Sequence, residues 1–148
     1  QHPETRLLIL GEGELRAEFE ALVVDLGLKD VVDLPGFDAN PYAYFKYASL
    51  FVLSSNWEGL PGVLIQALAS KVKVVSTNCP SGPMEILENS KFGLLVECND
   101  QAGLTQAMQQ AIFADYVQYQ DADFESHIQQ FHKQTVLKQY LRMMESAA

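Results

Sequence analysis

Five short apolar runs, each cut off by a turn, decide what this chain can fold into. They lie at residues 6–10, 31–34, 49–53, 72–76 and 92–96. Runs this short and continuous suit strands of a parallel sheet buried on both faces. Most are separated by a segment with helical spacing. Leu15, Phe19, Leu22 and Val23 mark a helix over 14–26, with Gly27 as its left-handed cap. Asn40 and Pro41 open a short helix crowded with Tyr42, Tyr44, Phe45 and Tyr47, which are expected to pack on the sheet. Val63, Leu64, Ala67 and Leu68 mark a helix over 61–70, and Asn99 or Asp100 caps one running to about residue 114. This alternation predicts an α/β fold with a doubly wound parallel sheet of about five strands. Phe124, Ile128 and Phe131, then Val136, Leu137, Tyr140, Leu141 and Met144, predict two further helices.

Ligands of such sheets bind at the carboxyl ends of the strands. The turns at Gly11, Gly36, Glu58 and Asn78 all fall at that edge. The richest is the stretch Ser54-Ser-Asn-Trp-Glu58-Gly-Leu-Pro-Gly62, which runs from a strand into a helix. A helix start leaves backbone N–H groups unpaired at the positive end of the dipole, a ready anion site. The Glu58 carboxylate can accept from ligand hydroxyls. Gln66, about one turn further on, leans back toward the helix start. Phosphate and polyol recognition thus lie within one reach. Gly11-Glu12-Gly13 suits either a phosphate-binding turn or a plain strand-to-helix turn. It lacks the third glycine of a nicotinamide-dinucleotide site. Phe37 suits a base contact or the local core. Glu85, in the first turn after Pro83, is expected to cap its own helix.

The net charge of −9 argues against a nucleic-acid partner, which needs a basic face. No apolar run approaches the ~18 residues of a membrane span. Cys79 and Cys98 give no metal spacing and no disulfide framework, and read as core or loop thiols in a reducing compartment. His127 and His132 read as surface histidines. The start, Gln1-His2-Pro3, shows no leader and no Met, as expected of a processed or excised piece.

Glu58-Gly-Leu-Pro-Gly-Val-Leu-Ile-Gln66-Ala-Leu-Ala resembles the acidic signature of family 4 (group 1) retaining glycosyltransferases: a Glu, seven residues, a second Glu, then Ala-hydrophobic-Ala. The likeness extends to Leu8-Ile-Leu-Gly-Glu-Gly13, Leu34-Pro-Gly-Phe37, Pro80-Ser-Gly-Pro83 and Gly93-Leu-Leu-Val96, in order. It implies the GT-B fold, in which two Rossmann-like domains face a cleft. Residues 1–114 would be the Rossmann-like nucleotide-sugar-binding domain, lacking its first strand and helix, and 115–148 a C-terminal helical tail. The resemblance gives Glu58 the catalytic position, touching hydroxyls of the transferred sugar. Gly59, Leu60, Pro61, Gly62 and Val63 would line the sugar and phosphates, and Gln66 the ribose. Gly11 and Gly13 would form a second turn of the donor site, with Phe37 beside the base. The implied donor is a UDP- or GDP-linked sugar, handled without a metal or other cofactor. The implied partner is an N-terminal acceptor-binding domain, without which no turnover is expected. The implied location is cytoplasmic, with peripheral association of the full-length protein at the inner face of the membrane. Three residues depart from the pattern: Gln66 replaces the second Glu, Lys71 a Gly and Lys73 a Pro. A degenerate, non-catalytic binding or scaffolding domain is the alternative they leave open.

Overall fold

The computed structural model describes residues 4–114 and 123–146. The chain forms two compact units, Gln1–Pro41 and Tyr42–Ala148. In the first, β1 (Leu7–Leu10) pairs in parallel with β2 (Val32–Gly36), and α1 (Arg16–Asp25) connects them. Gly27 closes α1 as predicted. At φ +68°, it lets its own N–H reach Val24 O and lets Leu28 N–H reach Val23 O, satisfying carbonyls of the last turn. Arg16 ties the unit together: it donates to Glu12 (2.7 Å), Glu20 (2.8 Å) and the Leu34 carbonyl (2.7 Å).

The expectation that β1 is buried on both faces is wrong. Leu7, Leu8 and Ile9 are exposed, and α1 buries none of its residues. Two strands and one helix supply too few layers to cover both faces of a strand.

The second unit opens with α2 (Tyr42–Phe45) and holds a three-stranded parallel sheet in the order β3 (Phe51–Leu53), β4 (Val74–Thr77), β5 (Leu94–Val96). Its helices are α3 (Gly62–Ala69), α4 (Pro83–Ile86), α5 (Gln101–Phe113), α6 (Phe124–Gln129) and α7 (Lys133–Ser146). Central β4 is buried along its whole length. Leu64 and Leu68 of α3, Ile86 of α4 and Phe124 of α6 share one core with Leu53, Val74 and Phe92. Ala107 and Ala111 of α5 share a second with Val75. Val74 and Val75 point to opposite faces of one strand, so helices cover both faces. The predicted doubly wound α/β architecture is present; its five parallel strands are hydrogen-bonded as two ladders, β1-β2 and β3-β4-β5.

Of the aromatic cluster, Phe45 packs inward, edge-on to Phe51 (5.6 Å between centroids), whereas Tyr42 and Tyr47 are exposed. The two lysines find structural roles. Lys71 adopts φ +58° and closes α3 with the same pair of bonds that Gly27 makes for α1: Lys71 N–H to Leu68 O, and Val72 N–H to Ala67 O. The left-handed cap survives without glycine. A non-glycine residue pays about 1 kcal/mol there. Lys71 also pairs with Glu125 at 2.8 Å, but both side chains are largely exposed and such pairs are weak. Lys71→Gly is therefore expected to stabilise the fold by about 0.5–1 kcal/mol, read as a rise in the urea midpoint. Lys73 donates to the Ala111 carbonyl (2.8 Å) in the last turn of α5, where a cation is favoured. At the other end of α5, Asp100 accepts from Gly103 N–H (2.8 Å), as its capping assignment predicts.

His127 is not a surface histidine. Its ring is nearly covered, lies 4.6 Å from Phe92 and 5.4 Å from Phe131, and bonds the Ile86 carbonyl through Nε2 at 2.7 Å. A half-polar ring can fill an apolar seam once both nitrogens are satisfied, and Gln130 serves Nδ1. The mid-helix position facing Phe124 and Phe131 was the sequence signal. Residues 115–122 of the expected helical tail lie outside the described residues; 124–129 and 133–146 are helical as expected.

Candidate functional site

The stretch after β3 begins with two polar residues that fix its course. Ser55 Oγ donates to Glu58 Oε1 at 2.7 Å, so the carboxylate is held by its own turn. Ser55 is itself held: Thr77 Oγ1, at the end of β4, donates to the Ser55 carbonyl at 2.5 Å. Glu58 is half-buried, and its second oxygen has no partner among the described residues. The turn-stabilising role and a ligand-facing role therefore coexist, one on each oxygen.

Three residues later α3 starts without a side-chain cap. Pro61 is its N-cap residue and has no N–H to offer. Leu64 and Ile65 N–H groups both bond the Pro61 carbonyl (3.0 and 3.4 Å). Gly62 and Val63 N–H groups find no acceptor among the described residues. They sit at the positive end of the helix, in the stretch that follows Glu58. Neither Gly59 nor Gly62 has any atom within 4 Å of where a Cβ would stand, so nothing in the fold itself demands glycine there. Leu60 is exposed, Pro61 buried and Gln66 half-buried, with no bond to the Gln66 side-chain amide among the described residues.

The loop after β4 closes over this turn. Gly82, at φ +85°, lies so near that a Cβ on it would stand 2.5 Å from Pro61 Cδ and 2.6 Å from the Gly59 carbonyl. Glu85 does not cap α4, contrary to expectation: it is exposed and makes no cap bond. Gly82 turns the chain instead, and its carbonyl receives Ile86 N–H (2.8 Å).

In the first unit, Gly11 has φ +121° and spends its N–H on the Gly36 carbonyl (2.9 Å), so that donor is committed to the turn. Gly13 has an ordinary φ and open space around it. Phe37 stays out of the local core, 75% exposed. Sequence reasoning gave no role to Ser55, Thr77, Gly82 or Trp57. Trp57 is the chain's single tryptophan and is 81% exposed directly beside Glu58. A lone tryptophan next to the key acid was the available signal.

Among the described residues no group of three or more His, Cys, Asp or Glu side chains could hold a metal ion, and no helix is long and apolar enough to cross a membrane.

The family described as glycosyl transferases group 1 matches residues 1–131. A Campylobacter jejuni enzyme, N-acetylgalactosamine-N,N'-diacetylbacillosaminyl-diphospho-undecaprenol 4-alpha-N-acetylgalactosaminyltransferase, is 41% identical over 105 residues. That match covers 71% of this chain and 29% of the relative. Among solved structures, the lipopolysaccharide outer core galactosyltransferase WaaB superposes with a TM-score of 0.82 at 22% identity, covering 97% of this chain and 41% of that one. A variant of S. aureus TarM, solved with UDP, Fondaparinux and alpha-GlcNAc-glycerol, superposes with a TM-score of 0.81 at 24% identity, covering 93% and 28%. At these identities the structural likeness shows the shared fold. The chain spans less than half the length of each of these proteins.

Proposed function

Because the chain belongs to the glycosyl transferases group 1 family, we propose that it is the C-terminal, donor-binding domain of a retaining transferase. The enzyme moves a hexose from a UDP- or GDP-linked sugar to a glycan or lipid-linked acceptor. The observation that carries this reading is the start of α3: the Gly62 and Val63 N–H groups, unpaired among the described residues, follow within five residues of Glu58, whose second oxygen is likewise unpaired among them. When the sugar–phosphate bond breaks, negative charge grows on the departing diphosphate. Prepositioned N–H donors at a helix start stabilise that charge without reorganising. Glu58, held by Ser55, accepts from sugar hydroxyls and fixes the ring against the phosphate. The bare flanks of Gly59 and Gly62 let the donor approach the backbone. A UDP complex of the similar TarM supports a uridine diphosphate as one candidate donor carrier. No metal takes part in this reading. The acceptor is held by an N-terminal domain of the same protein, at the inner face of the cytoplasmic membrane.

Gln66 faces the ribose in this reading. A carboxylate accepts from two hydroxyls with charge assistance; an amide accepts from one and donates to the other. Gln66→Glu is expected to tighten nucleotide diphosphate binding about tenfold, measured by calorimetry.

The test is transfer by the full-length protein from a panel of UDP- and GDP-sugars, with the anomeric configuration of the product read by NMR. Transfer with retention from one donor class supports the proposal. Hydrolysis or transfer from none, with no nucleotide bound, leaves the degenerate-domain reading.

A further inference from the structure

The two cysteines of the chain follow the ends of the neighbouring strands β4 and β5, and Cys98 reaches the Ser55 carbonyl of the Glu58 turn. The last paired residues of β4 and β5 are Thr77 and Val96. That last pair is closed by Asn78 N–H, which donates to the Val96 carbonyl at 2.7 Å. Cys79 and Cys98 each follow that pair by two residues, just past the ends of adjacent parallel strands. The strands they leave run about 4.8 Å apart, and a disulfide spans Cα atoms roughly 4.4–6.8 Å apart. The Ser55 carbonyl ties the Cys98 side to the Thr77 end of β4. Cys98 Sγ donates to the Ser55 carbonyl at 3.8 Å. Thr77 Oγ1 donates to that same carbonyl at 2.5 Å, and Cys79 lies near enough to Thr77 and to Cys98 for both to act on its thiol. Both cysteines are free, Cys79 buried and Cys98 partly exposed.

We propose that Cys79 and Cys98 form a covalent modification site: a dithiol that a hydroperoxide closes into an intrachain disulfide. Cys98, the accessible thiol, reacts first. Its thiolate attacks the peroxide, the O–O bond breaks, an alkoxide or hydroxide leaves, and Cys98 becomes a sulfenic acid. Cys79 then loses its proton and attacks the Cys98 sulfur; the S–O bond breaks and water leaves. Two thiols lose two electrons, and the peroxide is reduced to water and the matching alcohol, or to two waters. Burial pushes the Cys79 thiol up from its ordinary range, as does the neighbouring charge of Cys98, which suits a resolving rather than an attacking sulfur. Closure removes the Cys98 donor from the carbonyl of Ser55, the residue whose hydroxyl holds Glu58.

The test is hydrogen peroxide treatment of the reduced chain, trapping with N-ethylmaleimide after denaturation, and mass spectrometry. The expected product has lost two hydrogens and takes up no maleimide. Its digest joins the Cys79 and Cys98 peptides, and dithiothreitol restores both thiols. In Cys98→Ser, Cys79 is expected to stay fully alkylatable at the same dose. In Cys79→Ala, Cys98 is expected to proceed to sulfinic acid. Sulfinic acid at Cys98 of the unsubstituted chain with Cys79 still free overturns the proposal. So does a disulfide-linked dimer, or survival of both thiols. None of these readouts depends on nucleotide binding.

Discussion

Glu58→Ala in the full-length protein is expected to lower transfer by about 10²–10³-fold, the range seen when one preorganised group at the reacting centre is removed. Affinity for the bare nucleotide diphosphate should stay within about threefold, because Glu58 addresses the sugar and not the phosphates. The fold should survive: the residue is only half-buried, and among the described residues its one hydrogen-bond partner is Ser55 Oγ at 2.7 Å. Losing that bond costs about 1 kcal/mol. Glu58→Gln separates the two roles the structure allows. An amide oxygen can still receive the Ser55 hydroxyl, so a merely turn-stabilising Glu58 would be rescued by Gln. A carboxylate that must accept from two hydroxyls would not, and most of the loss should persist. Steady-state kinetics beside a nucleotide titration reads both quantities.

Gly82→Ala is expected to cost about 2–4 kcal/mol, because a left-handed residue and a backbone clash are imposed together. The new Cβ would stand 2.6 Å from the Gly59 carbonyl and 2.5 Å from Pro61 Cδ, with φ fixed near +85°. Backbone on one side and a proline ring on the other cannot swing away as a flexible side chain can. The turn that carries Glu58 must shift, so donor binding should fall along with the melting temperature. The contrast is Gly13→Ala, where φ is ordinary and the space is open: stability should change by less than about 0.5 kcal/mol. Thermal unfolding of the two variants side by side separates a packing requirement from a glycine kept only for its place in a motif.

Much of the second unit was legible in the sequence. Strand β4 announced itself as a continuous apolar run, and Asp100 as a helix cap. Boundaries moved where tertiary pairing overrode local signals: Gly36, expected in a turn, pairs with Leu10 as the end of β2. The first unit was misread for a physical reason. Apolar continuity states what a strand needs, not what its neighbours provide, and Leu7 to Ile9 have few elements to bury them. Lys71 shows the opposite case: the fold holds a left-handed residue that local preference disfavours. At the candidate site, Glu58 and the start of α3 could be read from residue order. Thr77 and Gly82 could not, since their roles arise from contacts more than twenty residues apart, and the Ser55 hydroxyl bond to Glu58, though local, is not marked by residue order.

The most direct measurement is a titration of the full-length protein with UDP, GDP and ADP, following backbone amide shifts and the emission of Trp57, the single tryptophan of this chain. The account predicts that one uridine or guanosine diphosphate shifts the Gly62 and Val63 amides and changes Trp57 emission. Adding the matching nucleotide sugar then perturbs Trp57 and Glu58 further, and Glu58→Ala removes only that second change. Saturable binding of every nucleotide elsewhere, with the Gly62 and Val63 amides unmoved, would contradict it.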